Sequence, residues 1–117
     1  MIPFNNRFHG HSSLRYVYKN GKALRARLLT VKITQNKHRK NSRYAVVISK
    51  KVLKSAVKRN RVRRRVYECL RLQFPNIDGI YDIVLIISCG EIISIPHDEL
   101  NNQIRQLLDQ AGVIKTP

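Results

Sequence analysis

All seven carboxylates of this chain, Glu68, Asp78, Asp82, Glu91, Asp98, Glu99 and Asp109, come after position 67, so the first 67 residues contain no acidic side chain. Twenty of the 23 Lys and Arg lie in that same stretch, which carries +20, while the remainder, with three cations against seven acids, carries −4. Such an imbalance cannot be neutralised within the molecule, and the like charges repel one another in any compact state. The cations therefore belong on the outside, where a polyanion supplies the missing charge, and nucleic acid is the polyanion that fits best. A membrane surface fits less well, because the basic stretch sets no cluster of Trp, Phe and Leu on one helical face.

The length of 117 residues, 43% of them apolar, suits one domain with a modest core, spanning 1–117 with its packed part at about 7–112. Cys69 and Cys89 are too few for a disulfide scaffold and sit in apolar runs, so both are expected reduced and buried. No apolar run reaches the roughly 18 to 20 residues that cross a bilayer, and Met1 to Asn6 lacks the apolar stretch of a secretory signal. The expectation is a cytoplasmic protein without membrane contact.

Periodicity gives the elements. A short helix is predicted from Ser12 to Asn20, with a Ser cap, apolar residues at Leu14, Val17 and Tyr18, and Gly21 as its stop. Ala26 to Thr34, with Leu29, Val31 and Ile33 on one face, and Arg43 to Ser49 read as strands joined by the polar loop Gln35 to Asn41. The pairing expected of them is an antiparallel hairpin. Ile80 to Ser88 is apolar almost throughout, the mark of a strand covered on both faces at the centre of a sheet. A long helix is predicted from about Val52 to Phe74, closed by Pro75, with a narrow apolar stripe of Val62, Val66, Cys69 and Leu70. Leu100, Ile104, Leu107, Leu108 and Ala111 repeat helical spacing, Pro96, Asp98 and Glu99 suit a first turn, and Gly112 suits the end. The order is helix, strands, helix, strand, helix, an α+β domain.

Charge is densest from Lys50 to Arg65, where nine of sixteen residues are cationic. On a helical wheel Lys54, Lys58, Arg61, Arg64 and Arg65 gather opposite the apolar stripe, so one face packs and the other meets phosphate. Arg59 and Arg63 fall on or beside the stripe, so either their stems snorkel past the core edge or this end of the helix projects beyond the sheet, and in both cases the guanidinium groups are held in orientations that suit bidentate contact. Asn60, a poor helix former, donates and accepts at once. Uncompensated like charges three and four apart destabilise a helix by about 0.2 to 0.5 kcal/mol per pair, which argues against a merely solvated face.

A nuclease working with its own side chains needs clustered carboxylates for metal or a histidine pair for proton transfer. Neither pattern is present. His9, His11, His38 and His97 are scattered, and Asp78 and Asp82 read as a turn residue and a strand-edge residue. The sequence offers no catalytic and no metal-binding residue.

The string Ser49-Lys50-Lys51-Val52 followed by Ala56-Val57-Lys58-Arg59-Asn60-Arg61-Val62-Arg63-Arg64 resembles the signature of the bacterial ribonuclease P protein family, with its Arg-Asn-Arg core. Leu14 to Gly21, Arg27 and Tyr81 to Ile86 are similar to that family's first helix, next strand and late strand. The resemblance implies a two-layer sandwich of mixed sheet and helices in the order αβββαβα, with a left-handed βαβ crossover like that of a ribosomal protein domain. It implies a subunit that binds a catalytic RNA and the 5′ leader of precursor tRNA and assists endonucleolytic removal of that leader. The Mg2+ would sit at the RNA active site, and the free protein would be a monomer. The RNA-facing residues so implied are Lys50, Lys51, Lys54, Lys58, Arg59, Asn60, Arg61 and Arg64, with Arg65 added from the wheel. Tyr18, Arg27, Leu14 and Lys32 are the expected leader contacts. Leu14 stands where the family usually has Phe, Lys32 where some members have an aromatic residue, and Ser88 where Arg is common. The rival reading is a basic ribosomal protein with a purely structural role.

Overall fold

A computed structural model describes residues 6–8, 12–36 and 40–114. The elements follow the expected order: α1 (Ser12–Asn20), β1 (Lys22–Arg25), β2 (Leu29–Gln35), β3 (Arg43–Ile48), α2 (Ala56–Gln73), β4 (Tyr81–Ile87) and α3 (His97–Gln110), with short 3-10 turns at Phe74–Asn76 and Gly90–Ile93. Four strands form one sheet in the order β1-β2-β4-β3, in which β3 and β4 are parallel and the other neighbours antiparallel. The α+β class and the mixed sheet are as predicted.

The predicted hairpin is not. β2 and β3 never touch as partners, because β4 lies between them and pairs with both. The reason lies in β4 itself: Tyr-Asp-Ile-Val-Leu-Ile-Ile is buried along nearly its whole length, and a buried strand needs partners for its backbone on both edges. A β2–β3 hairpin would have left β4 outside. The four-residue β1, Lys-Ala-Leu-Arg, escaped the sequence reading because most of it is exposed and Leu24 alone points toward the core.

The register sorts the side chains into two faces. Leu29, Val31 and Ile33 stand beside Ile87, Leu85 and Ile83, which stand beside Ile48, Val46 and Tyr44. All nine are buried in one core with Val62, Val66, Cys69 and Leu70 of α2 and Leu100, Ile104, Leu107 and Leu108 of α3. The predicted apolar stripes of both helices are thus the ones that pack. The opposite face carries the rows Thr30–Ile86–Val47, Lys32–Val84–Ala45 and Thr34–Asp82–Arg43. α1 lies on that side: Lys32 Nζ donates to Tyr18 O at 2.8 Å, and Val17 and Val84 are fully buried.

Two glycines shape the helix ends. A Cβ on Gly21 would lie 2.5 Å from Val17 O, so the turn out of α1 closes only without a side chain. Gly112, at φ +78, ends α3 as expected. Its N–H reaches Asp109 O at 3.0 Å, the N–H of Val113 reaches Leu108 O at 3.3 Å, and the buried Leu108 and Val113 seal the motif.

α2 begins later than predicted. Val52 N and Leu53 N both donate to Ser49 O, which closes a turn, and Ser55 caps the helix by accepting from Lys58 N at 3.3 Å. Lys50, Lys51 and Lys54 therefore sit on the turn before the helix, not on its face. Asp82, read as a strand-edge residue, is the second residue of β4. It is 4% exposed, paired with an equally buried Arg43, with Nε to Oδ1 at 2.9 Å and Nη2 to Oδ2 at 2.6 Å. Asn36 Nδ2 adds a contact to Oδ2 at 3.0 Å. Asp78 is a turn residue, exposed and next to Gly79, whose φ is +111. Both cysteines are free; Cys69 is buried, but Cys89 only partly so. His9, His11 and His38 lie outside the described residues.

Candidate nucleic-acid interface

The turn from Ser49 to Ser55 and the first turns of α2 form one cationic ridge at the end of the sheet where β3 and β4 finish. Lys50, Lys51, Lys54, Lys58, Asn60, Arg61 and Arg64 are all exposed along it. α2 has no acidic residue in its first turn, so the positive end of the helix dipole and the lysines around it add rather than cancel. The ion pairs formed among the described residues, Arg27–Glu91, Arg43–Asp82 and Arg71–Glu68, leave every cation of the ridge without a carboxylate.

Three arginines of this region are engaged by the protein itself. Arg59 Nη1 donates to Leu53 O at 2.8 Å and to Lys54 O at 2.9 Å, tying the helix back to the turn. Arg63 Nη1 donates to Asn60 Oδ1 at 2.7 Å, so the amide oxygen of the exposed Asn60 is engaged by its own helix. Arg65 is half-buried: Nη1 reaches Ile92 O at 3.0 Å and Ile93 O at 2.9 Å, and Nη2 reaches Ile95 O at 2.5 Å. The wheel set Arg65 on the free face; the structure turns its guanidinium inward onto the carbonyls that follow β4. No periodicity shows this, because the acceptors are main-chain groups some thirty residues away.

On the α1 side of the sheet, Leu14 and Tyr18 are half-buried above Lys32, whose ammonium stands 5.4 Å from the Tyr18 ring centroid. Burial pushes the Tyr18 phenol above its ordinary value. Tyr18 and Lys32 thus stand on the same side of the sheet as the partly open Thr30, Ala45, Val47 and Ile86, and Leu14 is half-buried on α1. Arg27 stands apart from them, in the β1–β2 turn, where Nη1 meets Glu91 Oε2 at 2.6 Å with both side chains largely exposed. Arg25 was not singled out from the sequence, yet the register sets it beside Thr30 on the α1 side, exposed at its rim. Its alternation with Ala23 and Leu24 would have revealed it, had β1 been recognised as a strand.

A small α+β domain whose mixed sheet carries at one end a cationic ridge, unpaired among the described residues, has a surface of the class that suits a polyanion. Comparison with known proteins narrows the class. The model of the family described as Ribonuclease P matches residues 2–112. The ribonuclease P protein component of Chloroflexus aggregans is 33% identical over 112 residues, covering 96% of this chain and 82% of that protein. That of Clostridium kluyveri is 35% identical over 114 residues, covering 93% and 96%. The solved structure of the Staphylococcus aureus RNase P protein shares the fold, with a TM-score of 0.82 at 24% identity over 94% of this chain and 98% of that one. The chain belongs to the ribonuclease P protein component family, the protein subunit of the endoribonuclease ribonucleoprotein that processes tRNA 5′ ends. Its partner is a ribonucleoprotein assembly, and the reading as a structural ribosomal protein is set aside.

Proposed function

We propose that the ridge of Lys50, Lys51, Lys54, Lys58, Asn60, Arg61 and Arg64 binds the catalytic RNA of ribonuclease P, and that the sheet face beneath α1 holds the 5′ leader of precursor tRNA. The observation that carries the reading is the ridge itself: six exposed Lys and Arg, none with a carboxylate partner, built onto a capped helix start. Phosphates neutralise this ridge in complex, and the released counterions supply the affinity. Leu14, Tyr18 and Lys32 offer the leader an apolar stem, an aromatic ring and an ammonium on one side, and Arg25 and Arg27 flank them. Arg65, committed to three carbonyls, keeps the end of the sheet in place instead of meeting RNA.

No helix among the described residues is long and apolar enough to cross a membrane, and we place the protein in the cytoplasm, monomeric until it meets RNA. Among the described residues no three His, Cys, Asp or Glu come together. We assign the Mg2+ and the hydrolytic step to the RNA, which leaves this chain to position the substrate and offset phosphate repulsion.

Reconstitution tests the reading. Added to a bacterial ribonuclease P RNA at low magnesium, the protein accelerates cleavage of a precursor tRNA carrying a leader of several nucleotides. Absence of acceleration overturns it. Arg61→Ala with Arg64→Ala lowers the slope of log affinity against log salt by about 1 to 2, as expected for two lost phosphate contacts; an unchanged slope removes these residues from the interface.

A further inference from the structure

We infer that Arg59 is a positioning residue: it acts on RNA through the turn that carries Lys50, Lys51 and Lys54. The inference rests on the reading of the ridge as an RNA surface and assigns its members different tasks.

Nη1 of an arginine has two N–H groups. In Arg59 both are taken, one by Leu53 O and one by Lys54 O, the last carbonyls before the Ser55 cap. The Arg59 N–H donates to Ser55 O at 3.0 Å, so main chain and side chain of one residue grip three consecutive residues of the turn. At the other end of the turn Ser49 O accepts from Val52 N and Leu53 N. Between these anchors the side chains of Lys50, Lys51 and Lys54 project outward, while Leu53 packs against the core.

A second support comes from the far half of the chain. A Cβ on Gly90 would lie 3.1 Å from Val52 O and 3.4 Å from the Leu53 side chain, so the chain after β4 presses against the back of the turn. The same segment is held by Arg65 through Ile92 O, Ile93 O and Ile95 O. Three lysines on a free loop would lose backbone and rotamer entropy on meeting RNA, roughly 1 to 2 kcal/mol per backbone residue fixed; on this braced turn the backbone part is settled at folding.

A double-mutant cycle with a bacterial ribonuclease P RNA, joined to hydrogen exchange on the free protein, tests the assignment. In the wild-type background Arg59→Ala weakens RNA binding about tenfold, a coupling of ordinary size. In a background where Lys50, Lys51 and Lys54 are all alanine, the same substitution changes affinity less than about twofold. Equal losses in the two backgrounds overturn the inference and return Arg59 to direct contact. Exchange of the Val52 and Leu53 amides in the free protein quickens in Arg59→Ala and in Arg59→Lys, whose single ammonium lacks the guanidinium geometry; unchanged exchange overturns the inference whatever the RNA does. Gly90→Ala, which keeps every cation, weakens RNA binding by pushing Val52 O; wild-type affinity there speaks against a braced turn. Should the triple lysine variant bind RNA like wild type while exchange responds as described, the RNA assignment of the turn fails, the brace stands as structure, and its role in binding is overturned.

Discussion

The two faces of the sheet are made from the same strands and do different work. Toward α2 and α3, the alternate residues Leu29, Val31 and Ile33 of β2, Tyr44, Val46 and Ile48 of β3, and Ile83, Leu85 and Ile87 of β4 are apolar or aromatic and buried. Toward α1, the alternate residues are Thr30, Lys32 and Thr34, Ala45 and Val47, Val84 and Ile86, with Arg43 and Asp82 at one end. The first face is shaped by the exclusion of water. The second divides along its length: at the Arg43–Asp82 end polar groups are sealed by one another, and toward Lys32 and Thr30 they are left reachable. The difference teaches that polar residues on a sheet are not uniformly a sign of a binding surface; their partners decide.

Four substitutions break or sharpen that contrast. The largest effect is expected at Asp82→Ala, which leaves Arg43 charged, buried and without its carboxylate, at a cost of about 3 to 5 kcal/mol by urea denaturation. The orphan would be acute because Nη1 of Arg43 already has no hydrogen-bond partner, its guanidinium lying 4.8 Å from the Phe8 ring centroid. A loss below about 1 kcal/mol would show that the pair is not sealed. Next comes Leu85→Ala on the apolar face, fully buried, at about 2 to 5 kcal/mol, with RNA affinity of the folded fraction unchanged. Lys32→Ala should cost under about 1 kcal/mol of stability, yet reduce the advantage that a leader gives in cleavage and lower the salt slope by about 1. An equal effect on leaderless substrate would move Lys32 out of the leader site.

The smallest effect is one of pH. Burial pushes the Cys69 thiol above its ordinary value of 9.0, so below that value it is neutral in both folded and unfolded chains and its contribution is fully present. As pH rises past it the unfolded chain releases the proton first, and stability is lost until the folded thiol also ionises, with a slope of at most about 1.4 kcal/mol per pH unit. Cys69→Ala, less stable at neutral pH, should show a shallower decline as pH rises above the ordinary thiol value of 9.0; an identical slope would point to Tyr18 and Tyr44, whose phenols burial also raises.

Much of this was legible in the sequence, for reasons that can be named. The stripes Val62–Val66–Cys69–Leu70 and Leu100–Ile104–Leu107–Leu108 identified the packed helix faces because burial imposes period 3.6 on whatever residues are there. The apolar run of β4 announced the sheet centre. Strand pairing was not legible: β2 and β3 are consecutive, and nothing local in either says that a strand some thirty residues later will separate them. The start of α2 was missed because the Ser49 turn and the Ser55 cap look helical by composition. Of the candidate site, the exposure of Lys58, Arg61 and Arg64 and the place of Arg59 beside the apolar stripe followed from the wheel, whereas the inward turn of Arg65 depends on carbonyl groups that no pattern of side chains reveals. The charge imbalance likewise concealed two exceptions, Arg27 and Arg43, whose carboxylates come from Glu91 and Asp82 in the other half of the chain.

The place of β4 between β2 and β3 has a consequence in time. As the chain leaves the ribosome, the two earlier strands have no seam to close and Arg43 has no counter-ion until residues 81 to 87 follow. The polycationic first 67 residues are therefore made before the sheet is able to close, and non-local closure of this kind is slow. During that interval the bare cations meet an RNA-rich surrounding, and the strand that completes the sheet is also the event that takes Arg43 out of nonspecific reach.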